Sequence, residues 1–199
     1  MDNRKSNISS YKTISWADGY RKSDEGVDKN PIWQSYANHL QDICYSYNTK
    51  INVLDIGCGT GRFFSALRNV DNLYGVDNSK AMLKHCNNPY MKEIVDKNIN
   101  NTILIEQSLN NINIDNKFHL IYSVGLLHEY DSETTTTVEF YDKMFKLLND
   151  NGTILFSYWE TSEDDINELI CKSKLNSYKR EWFNIDKNIV LKIKKRNKQ

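Results

Sequence analysis

The stretch VLDIGCGTGRF, residues 53–63, places three glycines on alternate positions directly after a short apolar run that contains an aspartate. An apolar run of this length is typical of a buried strand, and glycines let the backbone bend sharply and approach a ligand closely. Gly57, Gly59 and Gly61 therefore predict a ligand-binding turn after a strand. The apolar spacing from Phe63 onward predicts a helix next, and a helix N-terminus favours an anionic or strongly polar ligand group.

Apolar runs and helical patterns alternate along the rest of the chain. Strands are predicted at residues 51–56, 73–76, 103–105, 118–124, 153–159, 178–183 and 189–193. Helices are predicted at residues 31–47, 79–85, 89–97, 138–148 and 165–174, and after the glycines on the stripe Phe63, Phe64, Leu67 and Val70. A turn signal, Asn151-Gly152, precedes the fifth strand.

This alternation is typical of a parallel sheet covered on both faces. The last two predicted strands are close enough for a hairpin, so one of them should run antiparallel. We therefore predict an α/β fold, a Rossmann-like doubly wound seven-stranded sheet, mostly parallel with one antiparallel C-terminal strand and helices on both faces. Residues 1–199 are expected to form a single domain, with a core at 51–199 behind an N-terminal segment and helix at 1–47.

A second acidic residue, Asp77, ends the predicted second strand. In an open α/β sheet ligands bind at the carboxyl ends of the strands, beside the point where the strand order reverses. A carboxylate there can accept hydrogen bonds from both ribose hydroxyls of a nucleoside. Together with the glycine turn, Asp77 predicts a ligand that contains adenosine.

Four stretches of the chain resemble, in order, the motifs of class I S-adenosylmethionine-dependent methyltransferases. They are VLDIGCGTGRF, LYGVDNSKAML, FHLIYSVGLLHEY and LLNDNGTILFS. The glycine spacing GxGxG also differs from the GxGxxG fingerprint of dinucleotide-binding dehydrogenases. The resemblance runs from about residue 16 to the C-terminus and is strongest at 53–83. It implies an enzyme of this class with S-adenosyl-L-methionine as its cofactor.

The resemblance also implies a set of residues that contact the cofactor. They are Tyr20, Asp55, Gly57, Cys58, Gly59, Gly61, Asp77, Asn78, Met82, Gln107, Ser108, Ser123 and Val124. Asp55 would face the methionine amino group, the glycine loop would pass under the methionine and ribose, and Asp77 would hold the ribose hydroxyls. Asn78 and Met82 would flank the adenine.

The remaining members of the set lie on other segments. Ser123 and Val124 would line the far side of the cofactor. Tyr20 ends a WADGY segment similar to one that closes over the cofactor in small family members, so residues 1–47 would include a lid. One departure concerns the adenine: the family usually has an aspartate after the third strand, where this chain has Gln107-Ser108, and either side-chain oxygen could accept the hydrogen bond.

His128 follows the fourth strand, where the family places residues on the substrate side. A neutral imidazole there could act as a catalytic general base or contact the substrate, whereas the alternative is a histidine bonded to a loop carbonyl. Three aromatic residues, Trp33, Tyr36 and Trp159, could form a substrate wall or simply pack against neighbouring elements. The pair His128-Glu129 does not continue to a zinc motif, since residue 132 is serine, and we expect no metal.

Three classes of function stay open at this point. The first is a methyltransferase that acts on an N or O nucleophile of a small molecule, which the net charge of +0 favours over a nucleic-acid partner. The second is a nucleic-acid or protein methyltransferase, although an NPPY-type motif is absent after the fourth strand. The third is a non-catalytic protein that binds S-adenosylmethionine. The basic end at 192–198 could touch nucleic acid or protect an edge strand.

The cysteines and the N-terminus bear on the compartment. Cys44, Cys58, Cys86 and Cys171 lie far apart without a CxxC pair, as expected of free thiols in a reducing environment. The N-terminus has no apolar segment after its charges, and no apolar run approaches the roughly 18 residues of a membrane span. We therefore expect a cytoplasmic protein with no membrane partner.

Overall fold

The computed structural model describes residues 13–23, 26–128 and 136–195. Its helices are α1 (Ile14–Ser23), α2 (Pro31–Tyr45), α3 (Lys80–Cys86), α4 (Lys92–Asn98), α5 (Val138–Leu147) and α6 (Glu163–Lys172). Its strands are β1 (Ile51–Ile56), β2 (Val70–Asp77), β3 (Ile99–Glu106), β4 (Phe118–His128), β5 (Leu148–Trp159), β6 (Lys179–Ile185) and β7 (Asn188–Lys194). Short 3₁₀ helices cover Arg62–Ala66 and Leu109–Asn111.

The strands form one sheet in the order β3-β2-β1-β4-β5-β7-β6. The pairs among β1 to β5 are parallel, and β7 runs antiparallel to both β5 and β6. The predicted seven-stranded α/β sheet with one antiparallel C-terminal strand is thereby confirmed. The chain order reverses between β1 and β4, which opens a crevice at the carboxyl ends of these two strands.

Apolar side chains cover both faces of the sheet because successive residues of a strand point to opposite sides. Val53 of β1 belongs to a core with the α2 residues Tyr36 and Leu40, whereas Leu54 belongs to a second core with residues of α5 and α6. Helix α2 begins where the sequence predicts, since Pro31 occupies its first turn and the Asn30 side chain accepts a hydrogen bond from the Ile32 N–H. None of the helices in the described residues has the length and apolarity that a bilayer crossing requires.

The helix predicted after the glycines is wrong. Only a 3₁₀ turn forms at Arg62–Ala66, and Val70 is already the first residue of β2. The chain must return along the length of β1, about 20 Å for six residues, whereas eight helical residues would span only about 12 Å. The connection is therefore partly extended, and the Arg68 guanidinium holds it by donating to the carbonyls of Ser65 and Leu67 at 2.8 Å each.

The turn predicted at Asn151-Gly152 lies inside β5. The pairing of β4 with β5 jumps from Phe118–Leu148 to Leu120–Thr153, so several residues of β5 bulge out of the ladder. Asn151 has a φ of 62°, a left-handed conformation that asparagine adopts more readily than most residues. The Asn151-Gly152 pair therefore does mark a change of chain direction, but this change is a bulge within β5 and not a strand boundary.

Candidate active site

The glycine loop leaves β1 at the crevice and is held by the backbone of β2. The N–H groups of Gly57 and Cys58 both donate to the Val76 carbonyl, at 2.7 and 3.1 Å. A β-carbon on Gly57 would meet the Leu126 side chain at 2.5 Å, whereas one on Gly59 would meet nothing within 4 Å. Both glycines have positive φ. The loop therefore packs against the protein at Gly57 and faces open space at Gly59, where a ligand can lie against the backbone.

Asp77 ends β2 directly beside this open space. One carboxylate oxygen accepts the Gly59 N–H at 2.9 Å and the other accepts the Ser79 N–H at 2.8 Å. Burial raises the pKa of Asp77, and the N–H groups of Ser79, Gly59 and Asn78 oppose that rise. Because a carboxylate has about four acceptor sites and three N–H groups act on Asp77, the side chain keeps capacity for about one further donor. The side chain thus fixes the loop and still offers an acceptor to a ligand.

Asp55 lies deeper in the crevice, on β1. It is 3% exposed, and its carboxylate accepts a hydrogen bond from the Tyr122 hydroxyl at 2.7 Å. Burial raises the pKa of Asp55 to about 8, the Tyr122 hydrogen bond opposes the rise, and the Asp77 charge adds to it. A cationic group placed near Asp55 would lower its pKa again, because it favours the ionised carboxylate.

Tyr122 is a part of the site that the sequence does not reveal. It lies in the apolar run of β4, where it looks like a core residue, and it faces Asp55 only because the two residues pair across parallel strands. Knowledge of the strand register would have been required to find it.

The family assignment follows from a sequence model described as a methyltransferase domain, which matches residues 48–198. The chain belongs to this methyltransferase family. The resemblance to class I S-adenosylmethionine-dependent methyltransferases is thereby confirmed, together with the enzyme class and S-adenosylmethionine as the cofactor. A sequence search of curated proteins finds no match.

Solved methyltransferase structures share the fold. Magnesium protoporphyrin IX methyltransferase from Synechocystis, with bound S-adenosylmethionine, is 15% identical, with a TM-score of 0.68 and 98% of each chain covered. The N-methyltransferase NodS from Bradyrhizobium japonicum is 18% identical, with a TM-score of 0.60 over 85% of this chain and 99% of NodS. An rRNA methylase from Streptococcus thermophilus is 17% identical, with a TM-score of 0.59 over 85% of this chain and 98% of the methylase. Likeness at such identities concerns the fold alone.

The methyltransferase site fits its cofactor on three counts. Gly59 leaves room against the backbone, Asp77 has an acceptor for a hydroxyl group, and buried Asp55 suits a cationic amino group. A fourth expectation is not met: because only a 3₁₀ turn follows the loop, there is no α-helix N-terminus there to attract an anion. What this region offers a ligand is therefore the open backbone at Gly59 and the two carboxylates, Asp55 and Asp77.

The residues expected around the adenine lie together after β2 and β3. Met82 is 5% exposed on α3, and its N–H is capped by the Ser79 hydroxyl. Gln107 is engaged elsewhere, since its side-chain oxygen accepts the Asn113 N–H at 3.0 Å and so closes its own loop. Ser108 makes no cap hydrogen bond to the 3₁₀ helix that follows it. Of the two acceptors that the sequence offers for the adenine, the geometry favours Ser108.

Other members of the predicted set have structural contacts of their own. Ser123 is fully buried and its hydroxyl donates to the Ile56 carbonyl at 2.8 Å, so its side chain ties β4 to β1 and is not aimed at a ligand. Val124 packs partly buried against the core of the α2 face. Cys58 is 6% exposed, so any contact of this residue with the cofactor would come from its backbone.

Helix α1 carries Tyr20 and lies beside the glycine loop. Tyr20 stacks on Trp16 with ring centres 5.3 Å apart. The Arg62 guanidinium, one residue after Gly61, lies 5.2 Å from the Tyr20 ring centre and 4.4 Å from that of Trp33 on α2. Arg62 therefore joins the loop to both N-terminal helices through cation–π contacts.

The substrate side is described only in part. His128 is the last residue of β4 and pairs with Trp159, but its side chain and residues 129–135 lie outside the described part of the chain. The role predicted for His128 stays a prediction. Of the three aromatic residues singled out in the sequence, Tyr36 is fully buried, Trp33 stacks on Arg62, and Trp159 is 55% exposed at the crevice.

Proposed function

We propose that this chain transfers the methyl group of S-adenosylmethionine to an N or O nucleophile of a small molecule. The bound cofactor supplies a methyl group that its sulfonium already activates. What remains for the protein is to hold the acceptor in line with that methyl group and to exclude water, an effect worth roughly 7–11 kcal/mol in favourable cases.

The main support for a small acceptor is that packed side chains cover the glycine loop. Leu126 lies directly over Gly57, and Arg62 links the loop to Tyr20 of α1 and Trp33 of α2. Strand β4, through Leu126, and helices α1 and α2, through Arg62, therefore lie close to the predicted position of the methionine. Such a covered site suits a small molecule better than a folded RNA or protein surface.

The distribution of lysines supports the same choice. In β7, which runs antiparallel to β5, Lys194 pairs with Thr153 at the amino-terminal end of the β5–β7 ladder. The described part of the basic end therefore finishes at the sheet edge opposite the site. Lys192 lies 3.6 Å from Glu181, and Lys195 lies 3.1 Å from Asp150. These cations are partly neutralised and remote from the crevice, which is the opposite of what a polyanion-binding surface requires.

A transfer assay with methyl-labelled S-adenosylmethionine tests the proposal. Small amines, phenols and carboxylates are offered in parallel with total RNA and with ribosomes. We expect label in one of the small-molecule classes. Label confined to RNA or ribosomal protein would refute the small acceptor, and cofactor binding without any transfer would indicate a non-catalytic protein.

His128 is the residue that we propose as general base or substrate contact. Its position at the carboxyl end of β4, on the same edge as Gly57 and Asp77, supports this role. We expect His128→Asn to lower kcat/KM for the acceptor by about 10²-fold or more, to flatten the acidic limb of its pH profile and to leave cofactor affinity intact.

His119 provides the matched control for that substitution. It lies near the other end of β4, where its ring nitrogen accepts the Asn52 N–H at 3.0 Å. His119→Asn should affect stability without changing the pH profile. A stability loss with unchanged turnover in His128→Asn would show that His128 is a structural loop residue.

A further inference from the structure

A buried hydroxyl without a partner lies on the α2 side of the crevice. Tyr36 is fully buried, yet its hydroxyl has no hydrogen-bond partner among the described residues. Native structures keep few such groups, because a hydroxyl that has left water without gaining a partner destabilises the fold. The ring is held in place by Phe63 and Trp33, with ring centres 6.2 Å from that of Tyr36 in both cases. The position of the hydroxyl is therefore fixed while its hydrogen-bonding capacity is unused.

Two further polar side chains surround this hydroxyl. Burial raises the pKa of Tyr36, and the side chains of Asn188 and Ser157 oppose that rise, so both lie near it although neither makes a hydrogen bond of normal geometry with it. Ser157 is 2% exposed on β5, and Asn188 is the half-buried first residue of β7. The three groups come from three elements and converge at the carboxyl end of β5.

This polar cluster is connected to the glycine loop. The Ser157 hydroxyl oxygen accepts the Gly125 N–H at 3.0 Å. Gly125 has a φ of 77° in the irregular part of β4, and the next residue is Leu126, which covers Gly57. The cluster is thus bonded to Gly125, the residue next to Leu126, which packs on Gly57 of the glycine loop. We expect an acceptor to approach the methionine from this side.

We propose that Tyr36, Ser157 and Asn188 form a subsite that binds an uncharged hydroxyl or carboxamide group of the methyl acceptor. The assignment to the acceptor rests on the proposed function. A phenol, a serine hydroxyl and an amide together both donate and accept hydrogen bonds, which matches a group that does the same. The Asp186 carboxylate on the β6–β7 turn adds to the rise in the pKa of Tyr36, so its charge would disfavour an anionic group here.

Acetamide and acetate provide a matched pair of probes, since they have the same shape but differ in charge. Each is titrated into ¹⁵N-labelled protein saturated with S-adenosylhomocysteine, and the backbone amide of Gly125 is followed by NMR. We expect a saturable shift with acetamide and none with acetate. Tyr36→Phe should weaken acetamide binding about tenfold, the factor that corresponds to one neutral hydrogen bond, and Asn188→Ala should weaken it similarly.

Tyr141→Phe is the control, since the Tyr141 hydroxyl is buried and satisfied by Thr136 and Tyr158. It should lower the Tm and leave acetamide binding unchanged, whereas Tyr36→Phe should leave the Tm unchanged or raise it. The proposal is overturned if acetamide gives no saturable shift, if acetate binds equally well, if Tyr36→Phe binds acetamide like the wild type, or if it lowers the Tm as Tyr141→Phe does.

The outcome is separable from that of the transfer assay. Selective acetamide binding without methylation of any small molecule would refute the proposed function and leave the subsite as a binding site. If a small molecule is methylated but Tyr36→Phe does not change acetamide binding, the subsite is refuted and the proposed function stands.

Discussion

The two halves of the crevice are built in different ways. The half predicted to hold the cofactor, called the cofactor half, comprises Gly57–Gly61 and Asp77–Met82. It is closed by hydrogen bonds that the backbone N–H groups of Gly59 and Ser79 donate to the Asp77 carboxylate. The half proposed for the methyl acceptor, called the acceptor half, comprises Ser123–Leu126 with Tyr36, Ser157 and Asn188, which come from distant parts of the chain. One of its buried polar groups, the Tyr36 hydroxyl, has no hydrogen-bond partner among the described residues. The cofactor half is thus set by contacts between the glycine loop and the end of β2, whereas the groups proposed for the acceptor come together only through tertiary packing.

The largest effect is expected from Asp77→Ala, because Asp77 is the predicted ligand of the ribose hydroxyls and also holds the glycine loop. The substitution removes the acceptor for the Gly59 N–H as well as the one predicted for the ribose. We expect the affinity for S-adenosylhomocysteine, measured by calorimetry, to fall about 100-fold.

Glu106→Ala is the control for Asp77. Glu106 pairs with Asp77 across the ends of β3 and β2, so it tests whether any carboxylate at this edge matters. It should change the affinity little. Equal losses in the two variants would mean that general electrostatics, and not the specific anchor, hold the cofactor half together.

Alanine substitutions at Gly57 and Gly59 test the contact between the two halves. Alanine at either position is forced into a left-handed conformation, at about 1–2 kcal/mol. Gly57→Ala additionally drives its β-carbon into Leu126, an overpacking that costs about 1–3 kcal/mol more. Thermal unfolding should therefore show a greater loss for Gly57→Ala than for Gly59→Ala, whereas Gly59→Ala should impair cofactor binding because its β-carbon enters the ligand space.

A double-mutant cycle separates the two contributions at Gly57. Leu126→Ala removes the contact at 2.5 Å and leaves only the Leu126 β-carbon at 3.0 Å, so it should recover part of the stability lost in Gly57→Ala. It should recover none of that lost in Gly59→Ala. Additive effects of Gly57→Ala and Leu126→Ala would contradict the contact between the halves.

Local patterns in the sequence are enough to predict the elements of the cofactor half. The glycine spacing and Asp77 identify the loop and the strand end without knowledge of any pairing. The helix after the loop is mispredicted because the spacing of Phe63, Phe64 and Leu67 fits a helical stripe, whereas the distance that the chain must cover does not allow one. Counting residues against the length of β1 would have exposed the conflict.

The acceptor half could not be found in this way. Ser157 and Asn188 are ordinary polar residues in the sequence, and they meet only because β7 pairs antiparallel with β5, bringing Ile189 opposite Tyr158. Tyr36 shares the helical spacing of core residues such as Leu40, and nothing in that spacing shows that its hydroxyl lacks a partner. These assignments require the strand order and register, which a single sequence does not specify.

Asp55 lies between the halves and should make cofactor affinity depend on pH. Its pKa is raised to about 8, so the carboxyl is largely protonated at neutral pH without a ligand. The methionine ammonium of the cofactor favours the ionised form, so the affinity for S-adenosylhomocysteine should rise toward pH 8, by up to about tenfold per pH unit, and then level off. Asp55→Asn should remove most of this slope in calorimetry, and the slope that remains reports Asp77, whose pKa is also raised.

The same group should affect the free energy of unfolding with the opposite trend. The folded protein keeps a proton on Asp55 that the unfolded chain loses above about pH 4, so the ligand-free protein should become less stable as pH rises from about 4 to about 8. Denaturant unfolding across this range should show a flatter profile for Asp55→Asn. A steeper profile in the variant would refute the raised pKa.

The smallest effect concerns α1, the proposed lid that lies over elements of the cofactor half. The Asp18 carboxylate of α1 lies 3.0 Å from Nε2 of His85 on α3, an ion pair when His85 is protonated, and Asp18 is half-exposed. Exposed pairs contribute about 0–1 kcal/mol, so Asp18→Asn should leave the Tm nearly unchanged.

Hydrogen exchange in α1 is the sensitive measurement, because a lid opens locally without global unfolding. Asp18→Asn should accelerate this exchange, and S-adenosylhomocysteine should slow it in the wild type. Asp96→Asn, which removes the similarly exposed Lys92–Asp96 pair on α4, should leave exchange in α1 unaffected. If the ligand does not change the exchange of α1, this helix is a fixed part of the fold, and access to the cofactor half is controlled elsewhere.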